Sequence, residues 1–175
     1  MGSTSDFAVT NMQDKLLLEI QNHVLWWAIY MVDYANNVRP NPGGLKVGGH
    51  QASSSSLVTV MTYLYFEYMR AGDRISVKPH ASPVYHAIQF MLGNLKPEDL
   101  HTLRSFGGLQ AYPSRSKDPD GVDFSTGSVG LGVVAPNFAA LTEEFVRSHY
   151  RQDSGLGRRN ISVVGDAELD EGSVW

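Results

Sequence analysis

Ile75-Ser76-Val77-Lys78-Pro79-His80-Ala81-Ser82-Pro83 decides the fold class, together with Asn160-Ile161-Ser162-Val163-Val164-Gly165-Asp166 near the end of the chain. Each stretch opens with a short run rich in β-branched residues. Pro79 stops the first run and Gly165 the second, so both read as short buried strands. The turn Ala71-Gly72-Asp73 precedes the first strand, and a helix over roughly Ser82 to Leu92 follows it. Strands that alternate with helices predict an α/β fold, a parallel sheet with helices on both faces. Ligands of such sheets bind beyond the carboxyl ends of the strands. Chemistry is therefore expected at Lys78-Pro79-His80 and at Gly165-Asp166.

Working outward, Leu16, Leu17, Ile20, Val24, Trp27, Met31 and Tyr34 recur at helical spacing and predict a helix over about Asn11 to Asn36. Val38 to Gly49 breaks the pattern with two prolines and four glycines. A second helix is expected from the serine run Ser53-Ser56 through Met69. Lys96-Pro97-Glu98-Asp99-Leu100 opens a fourth, with Pro97 and acids suited to a first turn. Gly107 to Gly121 reads as a long polar loop, and Gly130 to Tyr150 as a fifth helix. Residues 1–47 form an N-terminal helix and Pro/Gly-rich lead-in; residues 48–175 form the α/β part. A last helix should start near Glu171, yet the sequence stops at Trp175. A single unfinished turn ending on an exposed Trp is a poor end for a domain, so the sequence reads as a fragment whose sheet is incomplete at the C-terminus.

Composition narrows the function classes. With 42% hydrophobic and only 18% charged residues, the 175-residue chain is neither disordered nor fibrous. A net charge of −4 leaves no basic footprint for nucleic acid. The absence of cysteine excludes disulfides, thiolate metal sites and a cysteine nucleophile. The apolar run from Val24 to Tyr34 is too short to cross a bilayer, and the N-terminus carries no secretory signal. A cytoplasmic protein acting on neither membranes nor nucleic acid is the expectation.

Four segments carry chemistry. Gly48-Gly49-His50-Gln51-Ala52-Ser53 lets the backbone approach a ligand, with His50 at the mouth of a helix; a plain surface turn is the alternative. His80 sits between a strand and a helix and faces the crevice of an α/β fold. His86, His101 and His149 lack partner spacing and read as surface or core residues. No His pair at zinc-hydrolase spacing exists. Within Gly127-Ser128-Val129-Gly130-Leu131-Gly132-Val133-Val134-Ala135, Gly130-x-Gly132-x-x-Ala135 matches a relaxed dinucleotide fingerprint but lacks the preceding strand; what remains is a glycine-rich helix entrance that favours phosphate. Gly165-Asp166-Ala167-Glu168-Leu169-Asp170-Glu171 places four carboxylates in six residues. The calcium-loop pattern fails there, no P-loop lysine motif is present, and Asp166 is the natural magnesium ligand; a solvated acidic turn is the alternative.

In this order and spacing, the four segments resemble the diphosphate-binding domain of transketolase-like thiamine diphosphate enzymes. Gly48-Gly49-His50-x-Ala52-Ser53 and His80-Ala81-Ser82-Pro83 with Tyr85-x-Ala87 are most similar to the homodimeric pyruvate dehydrogenase decarboxylating components. Gly165-Asp166 looks like the start of the thiamine diphosphate signature, whose closing double Asn would lie beyond Trp175. The resemblance covers about Gly48 to the C-terminus. It implies that His50 and His80 line the active-site channel and contact substrate oxygens, and that Gly127 and Val129 approach the cofactor. It further implies that Gly165, Asp166 and Ala167 cradle the diphosphate, that Asp166 binds magnesium, and that Glu171 links the two active sites of a dimer.

Two departures shape the expectation. Ala167 stands where the family has a third Gly. No His stands near Pro113-Ser114, where transketolase has one, which tilts the reading from a ketose phosphate to a 2-oxo acid. The expected function is thiamine diphosphate- and magnesium-dependent decarboxylation of pyruvate, in a homodimer that partners an acyltransferase component of a multienzyme complex. The alternatives are transketolase-type ketol transfer, a non-catalytic binding module of the same fold, and an unrelated magnesium-dependent phosphate-binding domain. In the family the activating Glu comes from a second domain, absent here. The chain alone is accordingly expected to be inactive, and to self-associate through Trp26, Trp27 and the Tyr63-Tyr65-Phe66 cluster.

Overall fold

The computed structural model describes residues 12–125, 130–150 and 158–175. Strands β1 (Arg74–Val77) and β2 (Asn160–Val163) pair in parallel, with Arg74 opposite Asn160 and Val77 opposite Val163. Ile75, Ser76 and Val77 are all buried. Because successive side chains point to opposite faces, both faces of β1 are covered. β2 is half-buried along its length. The architecture is helices around a small parallel sheet, in keeping with the expected α/β class; among the described residues the sheet has two strands.

The entry to both strands is clamped by Asp73. Its carboxylate accepts the backbone N–H of Arg70 and of Arg159, each at 2.9 Å, and Arg159 Nε at 2.8 Å. The Arg159 guanidinium lies 4.1 Å over the Tyr68 ring. The N–H of Arg74 then donates to the Arg159 carbonyl at 2.9 Å, starting the ladder. Helix α5 (Leu131–Tyr150) crosses both strands. Arg74 pairs with Glu143 at 3.0 Å, Asn160 donates to Glu143 at 3.3 Å, and the Ser162 hydroxyl donates to the Gly132 carbonyl at 3.3 Å. Late helix residues meet early strand residues, so α5 runs antiparallel to the strands. Its N-terminus stands at their carboxyl edge.

Helix α1 (Met12–Asp33) buries Val24, Ala28, Met31 and Val32 along one stripe, which packs on α4 (Ser82–Met91). It runs into a π-helical turn, Tyr34–Val38, and stops at Arg39, whose extended backbone is what a residue before proline favours. The single helix expected from Ser53 is instead two, α2 (Gln51–Ser55) and α3 (Val58–Tyr63), followed by a π-helical turn Leu64–Tyr68. Serine hydroxyls explain the break. Ser55 donates to the Gln51 carbonyl at 2.7 Å and Ser56 to the Ser53 carbonyl at 2.9 Å, competing with the helical ladder.

The expected fourth helix is only a 3-10 turn, Asp99–Thr102. The Asp99 carboxylate takes the Lys96 N–H at 2.8 Å, the Thr102 hydroxyl bonds the Asp99 carbonyl at 2.6 Å, and Arg104 turns the chain away at φ +57°. The helix expected near Glu171 is likewise two 3-10 turns, Ala167–Asp170 and Gly172–Val174. The polar loop is better anchored than its composition suggested, with Leu109, Asp118 and Asp120 buried. Of the aromatic side chains expected to lie open, Trp26 and Tyr63 do; Tyr65 and Phe66 pack against the core, and Trp27 meets Phe90 edge-on at 4.9 Å.

Desolvation would raise the Asp73 pKa, but the Arg159 and backbone hydrogen bonds outweigh it and hold the carboxyl down at about 2. A carboxyl depressed in the folded state contributes stability above its unfolded pKa and loses it as pH falls through the folded value. Asp73→Asn should therefore lower the urea midpoint at neutral pH, with the deficit shrinking as pH falls from about 4 to about 2. Urea titrations across that range check it; a deficit independent of pH would remove the charge from the clamp.

Candidate functional site

The parallel register brings the two strand ends to one edge. Lys78 directly follows β1, and a Cβ on Gly165 would lie 3.4 Å from its Cδ and 3.6 Å from its Nζ. The 3-10 turn Pro79–Ala81 comes next and presents His80 to solvent. Helix α2 packs on this turn, and His50 is the residue just before α2. Beyond β2, the Gly165 N–H donates to Glu168 Oε2 at 2.7 Å, and Glu168 is buried. Asp166 is exposed, and its carboxylate has no partner among the described residues.

The start of α5 closes the edge. Gly130 has φ +87°, and a Cβ there would come within 2.8 Å of Ser173 Oγ and 3.1 Å of Glu171 Cβ. Only glycine fits, and Glu171 lies at the helix entrance. The structure thus gathers His80, Gly165, Asp166, Ala167 and Glu171 along one rim with the positive end of a helix. Gly127 and Val129 lie outside the described residues. A carboxylate, an amine, an imidazole and a helix N-terminus together suit a metal-bridged phosphate.

His50 occupies a neighbouring recess of about 300 Å³, beside Asn36, Lys46 and Gly49. The glycines before it serve packing. The Gly48 N–H donates to Asn36 Oδ1 at 2.7 Å, Asn36 Nδ2 donates to the Gly49 carbonyl at 3.2 Å, and Arg104 Nη1 donates to the Val47 carbonyl at 3.1 Å. A Cβ on Gly48 would sit 2.6 Å from the Val32 carbonyl.

The sequence placed chemistry at Lys78-Pro79-His80 but gave Lys78 and Glu168 no specific role, because their places depend on strand register. It also set His86 aside as a surface or core residue. His86 is fully buried, with Nδ1 3.2 Å from Asp120 and Nε2 2.9 Å from the Gln110 carbonyl. Asp118 accepts the N–H groups of Gln110 and Ser114 at 2.8 and 2.7 Å, and burial still pushes its carboxyl up. Asp123, raised by burial as well, accepts the Ile75 N–H at 2.9 Å. Nothing periodic in the loop marks these acids. The spacing Asp118-Pro119-Asp120 was the only available signal.

Gly48→Ala should cost about 1–3 kcal/mol of stability through overpacking, while Gly43→Ala, whose Cβ would meet nothing nearer than 3.9 Å, should change it by less than about 0.5 kcal/mol. Chemical denaturation of the two variants tests the contrast.

No model of a known protein family matches the chain. Curated relatives do match it. It is 35% identical over 163 residues to the pyruvate dehydrogenase E1 component of Mycobacterium tuberculosis. It is 32% identical over 163 residues to that of Mycolicibacterium smegmatis, and 29% over 161 residues to that of Escherichia coli K12. These alignments cover 85–87% of this chain and 16–18% of the relatives, so the chain spans less than a fifth of their length. Along most of its length the chain is thus homologous to one segment of pyruvate dehydrogenase E1 components, as its His50, His80 and Gly165-Asp166 motifs indicated.

Proposed function

We propose that this chain supplies the diphosphate-binding part of a thiamine diphosphate-dependent pyruvate dehydrogenase first component. The observation that carries the reading is the shared rim, where Lys78-His80 and Gly165-Asp166 end parallel strands in register at the N-terminus of α5. The residues fit the cofactor. Asp166 offers a free carboxylate to magnesium, Lys78 offers a cation to the diphosphate, and the α5 entrance favours its negative charge. When bound, thiamine diphosphate supplies a carbanion and a cationic ring that accepts the electron pair released on decarboxylation. The chain's own contribution is position and charge. His80 and His50 orient the oxygens of a 2-oxo acid, Gly165 lets the backbone come close, and Glu171 would link this site to that of a second protomer in a homodimer. The acyl group would pass to an acyltransferase partner.

One observation favours a second reading, a non-catalytic module of the same fold. The Gly165 N–H, which could face a phosphate, is already held by the Glu168 carboxylate, and Ala167 follows Asp166 where the family has Gly. Binding separates the two. Calorimetric titration with magnesium and thiamine diphosphate should show weak, magnesium-dependent binding, reduced about tenfold or more in Asp166→Asn, the scale of losses at perturbed metal sites. Absence of any magnesium-dependent binding favours the module. In the protein that carries this segment, His80→Ala should lower turnover about 10²–10³-fold, the usual loss for one transition-state donor. Its exposed ring leaves stability unchanged, and a full-rate variant would remove His80 from the site.

A further inference from the structure

His86 lies within α4, and its two ring nitrogens both face acceptors. Nε2 stands 2.9 Å from the Gln110 carbonyl, which can only accept, so Nε2 carries a proton. In a neutral imidazole Nδ1 is then a bare lone pair, and it meets Asp120 Oδ2 at 3.2 Å. Two lone pairs at that distance inside the protein need a cation between them, either a proton or a metal ion. Asp118 joins the group, the ligating atoms of all three residues lie within 4.8 Å of one another, and all three are buried.

A second, independent observation decides between proton and metal. Asp120 Oδ1 is buried without a partner, and so is the hydroxyl of Tyr85, a residue 3% exposed. The Tyr85 ring lies 5.4 Å from that of His86. A proton on His86 would balance only one of the two carboxylates and leave both orphan oxygens unsatisfied, a costly arrangement in a dry interior. A divalent ion balances both. The Nδ1–Oδ2 separation matches the edge of a coordination tetrahedron with ligand bonds of about 2.0–2.1 Å. The imidazole nitrogen argues against magnesium or calcium, which prefer oxygen, and the absence of cysteine argues against thiophilic ions.

We propose that His86, Asp118 and Asp120 bind a divalent transition-metal ion of the zinc or manganese class, with the Tyr85 ring close to His86. This site is separate from Asp166 and does not rest on the cofactor reading. Its work is to pin the loop from Gly107 to Ser125 onto α4, ahead of the α5 entrance.

The test uses the full chain, stripped with chelator and dialysed against zinc or, separately, manganese. Elemental analysis should find one equivalent of either ion per chain, and loading should raise the Tm by several degrees. Asp120→Asn is the informative variant. Its amide can donate to the bare Nδ1, so the fold keeps that hydrogen bond while the site loses a charged ligand. It should stay folded, retain no stoichiometric metal and show no Tm response. Asp166→Asn should retain the full equivalent. Wild type without bound metal would overturn the proposal, as would Asp120→Asn that still holds one equivalent. A metal-free wild type clearly more stable than Asp120→Asn would identify a shared proton instead, and also overturns it.

Discussion

The position of every residue on the candidate rim depends on the pairing of two four-residue strands, and that pairing depends on Asp73. Strands this short form few ladder bonds, so the ladder alone would specify register weakly. A slip of one residue would turn Ile161 and Val163 to the opposite face. A slip of two keeps the faces but displaces the strand ends by about 7 Å. Lys78 would then no longer reach Gly165. By accepting both the N–H and the side chain of Arg159, Asp73 fixes where β2 begins relative to β1. The first ladder bond follows one residue later.

Register also sets the electrostatics of the rim. Glu168 returns its carboxylate to Gly165, and the Lys78 amine lies beside the same glycine, so one negative and one positive side chain stand within reach of one backbone amide. Asp166 adds a second, exposed carboxylate, and the N-terminus of α5 adds a partial positive charge. With Glu171 at the helix entrance, the rim carries a net negative charge without a ligand. A divalent cation with a diphosphate adds charge of both signs and suits it better than either alone.

Much of this was legible in the sequence wherever the signal was local. The β-branched runs before Lys78 and Gly165, the helix after His80 and the long helix after Gly130 all appear where their patterns placed them. Two of the failures share a cause. Serine hydroxyls at Ser55 and Ser56, the Asp99 carboxylate and the Thr102 hydroxyl bond to the backbone and break helices that hydrophobic spacing would continue. Periodicity does not register such bonds. The partners of Gly48, Lys78 and His86 were hidden for a different reason. Gly48 meets Val32, Lys78 meets Gly165, and His86 meets Asp120, all contacts between elements far apart along the chain.

The loop between Gly107 and Ser125 links these observations, because it is fastened to both layers of the fold. His86 ties it to α4 through Asp120 and the Gln110 carbonyl, while Asp118 folds it on itself by holding two of its amides. At its far end Asp123 accepts the Ile75 N–H, so a carboxylate occupies a β1 amide that a further strand could have used. That contact protects the sheet edge and anchors the loop in one step. Helix α5 is fixed independently by Glu143 at the strand starts and by Gly130 against Glu171 and Ser173 at the strand ends. Its positive end is consequently held against both strand termini by backbone packing at Gly130 and by the ion pair and hydrogen bond of Glu143. Side chains on the rim can remain exposed and unpartnered, as His80 and Asp166 are, because the fold does not need them for its stability.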